Sequence, residues 1–354
     1  MKESVVLREQ PNLFETKVAI LEADGDNDSI YLYVFPPQSP REIHALWVAN
    51  CADRDAAQVE EQMRAALPPR LPHAQINDAA LITDLNADNW DVRWSLDQQS
   101  VAVWHLDQIV AIMPSWGPAN RFAGFARGSS AETSVAWPLT SENVLLSRFE
   151  AEDRFLRGWD ETTWKTIQQG TLASYQSLHV GEVRYFAADQ GKWPPLAITL
   201  SGDSGRSFMA TAGMAILPMP GAESSADETP VSRRIELGVL CETSAADETV
   251  CGQLSSWARY PWRYATHFDH GHTISTEAFA QVAPRFTHMA IAERASFLPS
   301  INLPAIEGDS PRFLYLIPIT AAEQKMAENR GTARLLELLE AAPAPLSLER
   351  EAVA

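Results

Sequence analysis

The stretch FLYLIPI, Phe313 to Ile319, places seven apolar residues in succession and a threonine directly after them. Such a run leaves no polar position for a wet face, so it suits a strand covered on both sides. A chain containing it has to supply a sheet with cover above and below. The residues that follow are suited to that task. Thr320 and Glu323 have the capping-box spacing, in which hydroxyl and carboxylate satisfy the first free amides of a helix. Gly331 is expected to close that helix through a left-handed terminal position, and Leu335, Leu336, Leu338 and Leu339 give a short second helix one apolar side. The C-terminal region therefore reads strand, helix, helix.

The other elements follow from the same periodicities. KVAILEADGDNDSIYLYVF reads as a hairpin, with strands at Val18–Leu21 and Ile30–Phe35 around an Asp/Gly/Asn turn. A strand near Ile43–Val48 leads into DRDAAQVEEQMRAALPP, where Ala56, Val59, Met63 and Leu67 predict a helix with one apolar face, stopped by the proline pair. Strands are expected at Val92–Leu96, Val101–Leu106 and Ile109–Met113, with ARGSSAETS as the boundary candidate after them. Leu145, Phe149 and Leu156 mark one helix, and Trp164, Ile167, Leu172 and Tyr175 a second that tolerates Gly170. Beyond these lie β-like runs at Leu196–Leu200, Phe208–Leu217, Ile235–Leu240, Phe286–Ile291 and Phe313–Ile319. Their one middle helix carries Val250, Leu254 and Trp257 and stops before Pro261. No fixed-period repeat is visible.

At 354 residues the chain is long enough for two cores, and 45% hydrophobic with 21% charged residues is the composition of a globular protein. Lys+Arg 28 against Asp+Glu 46 leaves a formal charge of -18, without a basic run to attract phosphate backbones or anionic lipid, so neither nucleic acid nor membrane is expected as partner. No apolar stretch of about 18 residues occurs and the N-terminus lacks an export signal, which predicts a cytoplasmic protein. Cys51, Cys241 and Cys251 form no metal or redox spacing and read as reduced thiols.

Four stretches invite a chemical reading. Asp24, Asp26 and Asp28 alternate as in a calcium loop, but Ser29 stands where such a loop needs glycine and Phe35 where it needs a bidentate glutamate, so the stretch reads as a turn. SGDSGR would make Ser204 a nucleophile, yet Arg206 occupies the second glycine position and no oriented base is evident, so it too reads as a turn. HFDHGH is sharper: His267, Asp269, His270 and His272 put four metal-ligand types within six residues, although the spacing fits no zinc motif and Gly271 suits a plain exposed turn. Eleven tryptophans are mostly core candidates. The loop residues Trp116 and Trp193, flanked by prolines, are the candidates for partner contact. No phosphate loop or dinucleotide fingerprint appears, and no cofactor is expected.

Five segments, taken in order, resemble the Suppressor of fused family, and its bacterial members in particular. They are SFMATAGMAILPMP with Gly213 before Met214, RRIELGVLC, WARYPWRYATHFDHGHTIS, FTHMAIAERASFLP with its His-Met pair, and FLYLIPITAAEQKMAENRG, where the likeness is greatest. The resemblance spans about residues 178–342. It implies an α+β domain with a mixed sheet packed by helices, a protein-binding module and not a catalyst, and for bacterial relatives an immunity protein that neutralises a secreted toxin. The eukaryotic member holds a transcription-factor peptide through a tyrosine and an aspartate. Met209 and Gly221 stand at those positions here and supply neither hydroxyl nor carboxylate, so that peptide is not carried over.

The expected organisation is an α+β protein of two domains: 1–140 of unknown role, a helical connector at 141–177, the Suppressor of fused-like domain at 178–342, and a tail at 343–354. The expected partner is another protein, with a toxin as the resemblance's suggestion. The alternative function is a metal-dependent or serine hydrolase built on the His267–His272 cluster.

Overall fold

The computed structural model describes residues 4–354 apart from 27, 54–58, 66, 179, 204, 222–232, 243–247 and 282. The chain divides into two compact units, with the break between Gly158 and Trp159.

The first unit begins with an antiparallel sheet of β1 (Val5–Pro11), β2 (Val18–Asp24), β3 (Ser29–Phe35) and β4 (His44–Asn50), in that order. The predicted hairpin is β2–β3, and its turn is held by protein groups: the Asp26 amide donates to Asp24 (2.9 Å), and Asp28 lies 3.6 Å from Arg70. Helix α1 (Val59–Arg64) departs from expectation. Met63 and Leu67, two of the four residues of its predicted apolar stripe, are exposed, while Ala56 and the Val59 side chain lie outside the described residues. A second sheet follows in the order β5 (Trp90–Trp94), β6 (Val101–His105), β7 (Gln108–Met113), β8 (Phe125–Ala126) and β9 (Trp137–Pro138). Helix α2 (Val144–Gly158) completes the unit.

Alternation along β6 explains the layering. Val101 and Val103 join the core shared with Leu21, Leu32 and Leu46 of the first sheet, whereas Ala102 and Trp104 face Leu145, Leu146 and Phe149 of α2. The unit is thus sheet, sheet, helix. The ARGSSAETS stretch is not a boundary: Ala126 belongs to β8, Ser129 is buried, and the Gly128 carbonyl accepts from Asn77 (3.0 Å). Nor do residues 141–177 stand apart as a connector, because α2 supplies core to the first unit and the next helix belongs to the second.

That next helix is α3 (Glu161–Gln176), capped by Asp160, whose side chain accepts from the Thr163 amide (2.7 Å). Its Gly170 faces Pro304, where a Cβ would lie 3.1 Å from the ring, a tight contact. The strands of this unit are β10 (Arg184–Ala187), β11 (Ala197–Gly202), β12 (Ser207–Ala212) and β13 (Ile235–Cys241). Then come α4 (Glu248–Trp257), α5 (Tyr260–Arg263), β14 (Thr273–Ser275), β15 (Phe286–Ala292), β16 (Arg312–Thr320), α6 (Ala321–Arg330) and α7 (Thr332–Glu340). They form one mixed sheet, β10-β11-β12-β13-β16-β15-β14, in which only β13 and β16 pair in parallel among the described residues.

The seven apolar residues are buried on both faces, as the opening expectation requires. Phe313, Tyr315, Ile317 and Ile319 meet α3, α6 and α7 through Tyr175, Ala327, Leu335 and Leu339. Leu314 and Leu316 point to the other face and are also buried. The capping box forms as read: the Glu323 amide donates to Thr320 (3.2 Å) and the Thr320 amide to Glu323 (2.8 Å). Gly331 closes α6 with φ 86° and ψ 146°, a positive φ but an extended and not a left-handed helical ψ. The predicted strand Phe208–Leu217 stops early. At Gly213, φ is 106° and a Cβ would lie 2.2 Å from the Pro195 carbonyl oxygen, and the chain turns there into a short 3-10 segment. Residues 343–354 are not a loose tail, because Leu346, Leu348 and Arg350 are buried. The protein is α+β, and no helix among the described residues is long and apolar enough to cross a membrane.

Candidate functional site

The turn carrying HFDHGH joins α5 to β14 and is tied down by backbone bonds from Gly271 to the Ile291 carbonyl (2.8 Å) and from Ile291 to the His272 carbonyl (2.8 Å). Gly271 sits at φ 95°, which favours glycine. Asp269 accepts from Arg312 (2.6 Å) and from the His270 amide (2.7 Å). Burial alone would raise its pKa, but these bonds outweigh burial and hold the carboxyl below its ordinary range. His270 Nδ1 accepts from the Glu293 amide (3.2 Å), which occupies that nitrogen. The His267 and His272 rings lie 5.4 Å apart. Burial, and then the charge of Arg233, lower the His267 pKa and favour its neutral form. The four residues thus share one turn, with Asp269 and His270 engaged by protein partners. Among the described residues no group of three or more ligating side chains is placed to hold a metal ion.

Ser204 lies outside the described residues. Around it, Asp203 accepts from the amides of Gly205 (2.8 Å) and Arg206 (2.8 Å), the hydrogen bonds of a tight β11–β12 turn.

Trp193 is half-buried in the β10–β11 loop, edge-to-face with Trp159 at 6.2 Å. Asp189 shapes this loop by accepting from the amides of Gly191 (2.7 Å) and Leu196 (3.0 Å). Sequence reasoning missed a more exposed pair in the same unit. Helix α5 turns Pro261 and Trp262 inward, with the indole N–H donating to the Pro218 carbonyl (2.9 Å), and so leaves Tyr260 and Tyr264 outside, 38% and 66% exposed. Their rings are 4.4 Å apart, and Tyr260 stacks on buried Phe268 at 5.7 Å. The i, i+4 spacing of the two tyrosines was the available signal.

Trp116 follows β7 in the first unit and stacks on Phe122 at 5.0 Å, while Phe122 meets Trp137 edge-on at 5.1 Å. The sequence reading named Trp116 but not its companions, which come from a loop and from the sheet's last strand.

Two buried polar groups also escaped the sequence reading. Glu236 on β13 accepts from Thr211 (2.6 Å) and from the amides of Gly213 (2.8 Å) and Ala215 (3.1 Å), so one carboxylate organises the turn that ends β12. Its pKa is raised, because complete burial outweighs those bonds. Arg234 donates to the Ala215 carbonyl (3.1 Å) and reaches Asp309 (3.3 Å).

The family model of Suppressor of fused protein (SUFU) matches residues 192–351, which begins later and runs further than the span read from the five segments. Solved structures similar to this chain include a SUFU homolog from Neisseria gonorrhoeae FA 1090, with 15% identity over 54% of this chain and 98% of that one and a TM-score of 0.41. A Sufu–Fu complex shares 12% identity over 54% and 91%, with a TM-score of 0.39. Drosophila Suppressor of Fused shares 11% over 44% and 42%, with a TM-score of 0.33. No curated protein matches the sequence. Over residues 192–351, from the loop of Trp193 to the segment that holds Arg350, this chain is similar to the Suppressor of fused family.

Proposed function

We propose that the chain is a non-enzymatic protein-binding module whose working domain, residues 178–342, presents aromatic side chains to a protein partner. The observation that carries this reading is the SUFU match over 192–351, and the stacked Tyr260–Tyr264 pair inside that segment supports it. Exposed tyrosines and tryptophans bury much apolar area on binding at low entropic cost. We extend the reading to a cytoplasmic immunity protein that neutralises a toxin. The formal charge of -18 would speed its encounter with a basic partner. The first unit keeps an unassigned role.

Affinity capture from the native lysate is expected to retain one partner in stoichiometric amount, with Y264A and W193A each weakening retention about tenfold. Because Tyr264 is exposed, Y264A is expected to leave stability within about 0.5 kcal/mol of the parent. Co-expression is expected to relieve growth arrest caused by the captured partner. A chain that captures no specific protein refutes the binding reading. A captured partner that is harmless to the cell refutes only the immunity reading.

A further inference from the structure

A cleft of 430 Å³ opens in the first unit beside α2 and the β6–β7 turn, and Trp104, Ile109, Arg127, Glu150, Asp153 and Arg154 contribute to its wall. The volume falls within the range of small-ligand pockets. Two of the acids that line it are already engaged: Asp153 is bridged by Arg93 and by Arg157 (2.8 Å), and Asp107 lies 3.6 Å from Arg157. The remaining cations are differently placed. Arg127 uses its Nε on the Ile109 carbonyl (3.1 Å), and neither it nor Arg154 forms an ion pair among the described residues. Trp104, held under the Arg93 guanidinium at 4.5 Å from the ring centroid, is 5% exposed, and its indole N–H has no hydrogen-bond partner among the described residues. A buried donor without an acceptor is costly, so a ligand atom that satisfied it would be held strongly.

Two lining guanidiniums outside any ion pair among the described residues, and an unmatched indole N–H, call for an acceptor-rich anion of small size. We propose that this cleft binds a carboxylate, supplied either by a small free acid or by the acidic group of a peptide. Glu150 shares the wall and lies four residues before Arg154 on α2, yet no ion pair joins them among the described residues. Its charge opposes a bound carboxylate and keeps affinity modest. The site is in the unit outside the SUFU match and does not depend on the protein-binding reading.

The test follows the indole N–H resonance of Trp104, assigned by its loss in W104F, in the full chain. The probes are succinate, a tripeptide with a free terminal carboxylate, and the same tripeptide amidated but carrying a glutamate side chain. Saturable movement of that resonance is expected with at least one probe, and the probe that moves it identifies the source. R154Q, at an exposed position, is expected to weaken binding about tenfold, the loss of one charge-assisted hydrogen bond, and E150Q to tighten it several-fold. A resonance unmoved by all three probes overturns the proposal, and so does a titration unchanged in R154Q.

Discussion

Arg350 offers the sharpest test of how the second unit is held together. Its guanidinium donates to both carboxylate oxygens of Glu323 (2.5 and 3.1 Å) and to the Pro318 carbonyl (2.8 Å), and both side chains are almost fully buried. Glu323 in turn caps α6 and accepts from the Val353 amide (2.9 Å). Burial on its own would push its carboxyl pKa up, but the Arg350 and amide hydrogen bonds more than reverse this and hold the group below its ordinary range. R350A leaves that charge in the interior with two amide donors and no countercharge. Breaking a buried pair from one side costs about 3–5 kcal/mol. For a unit of this size that corresponds to a fall in Tm of about 6–20 °C. The double variant E323Q/R350M removes both charges and is expected to regain most of the loss, since neutral replacement of a buried pair is commonly tolerated. Urea unfolding followed by far-UV circular dichroism measures both. If R350A cost under about 1 kcal/mol, or the double variant were no better than R350A, the pair would not be what anchors residues 343–354.

Two further outcomes follow from the turn that ends β12. A carboxyl whose folded pKa is raised contributes stability below its unfolded value that is lost as pH rises through the folded one, so Glu236 makes the protein less stable on going from about pH 4 upward. E236Q is expected to flatten that fall in a pH series of denaturation curves, and a series that keeps the parent's slope contradicts it. G213A has to place a methyl 2.2 Å from the Pro195 carbonyl oxygen at φ 106°, and is expected to cost about 3 kcal/mol in urea unfolding. A loss under about 1 kcal/mol would mean that the turn relaxes freely.

What the sequence made legible was carried by neighbouring residues. The uninterrupted FLYLIPI run, the Thr320–Glu323 spacing and the two β-rich runs around the Asp/Gly/Asn turn each encode their own surroundings, and strand, capping box and hairpin formed as read. Edge strands were not legible, because β10 exposes most of its residues and carries no strand pattern. Between the expected strands Val92–Leu96 and Val101–Leu106, Asp97 to Ser100 are all polar, yet residues 95–100 are all buried. Their partners come from far along the chain: Glu152 accepts from Leu96 (2.9 Å), Leu13 donates to Gln98 (2.8 Å) and Lys17 to Gln99 (3.0 Å). The same reason hid Glu236, whose donors lie more than twenty residues earlier on a neighbouring strand and turn. At the candidate site, Trp193 could be singled out from its loop setting, but Tyr260 and Tyr264 could not be told from core aromatics until α5 had fixed which side Trp262 faced.

The single parallel pairing in the large sheet sets an order on synthesis. Ile235 pairs with Arg312, so the two antiparallel halves, β10 to β13 and β14 to β16, can be joined only after most of the chain has left the ribosome. Until then β13, the inner edge of the first half and buried along its whole length in the finished sheet, lacks its partner on that side and is exposed to other chains. Bringing such distant strands together is also the slow kind of folding step. A nascent chain paused before residue 312 is therefore the form of this protein most in need of a chaperone.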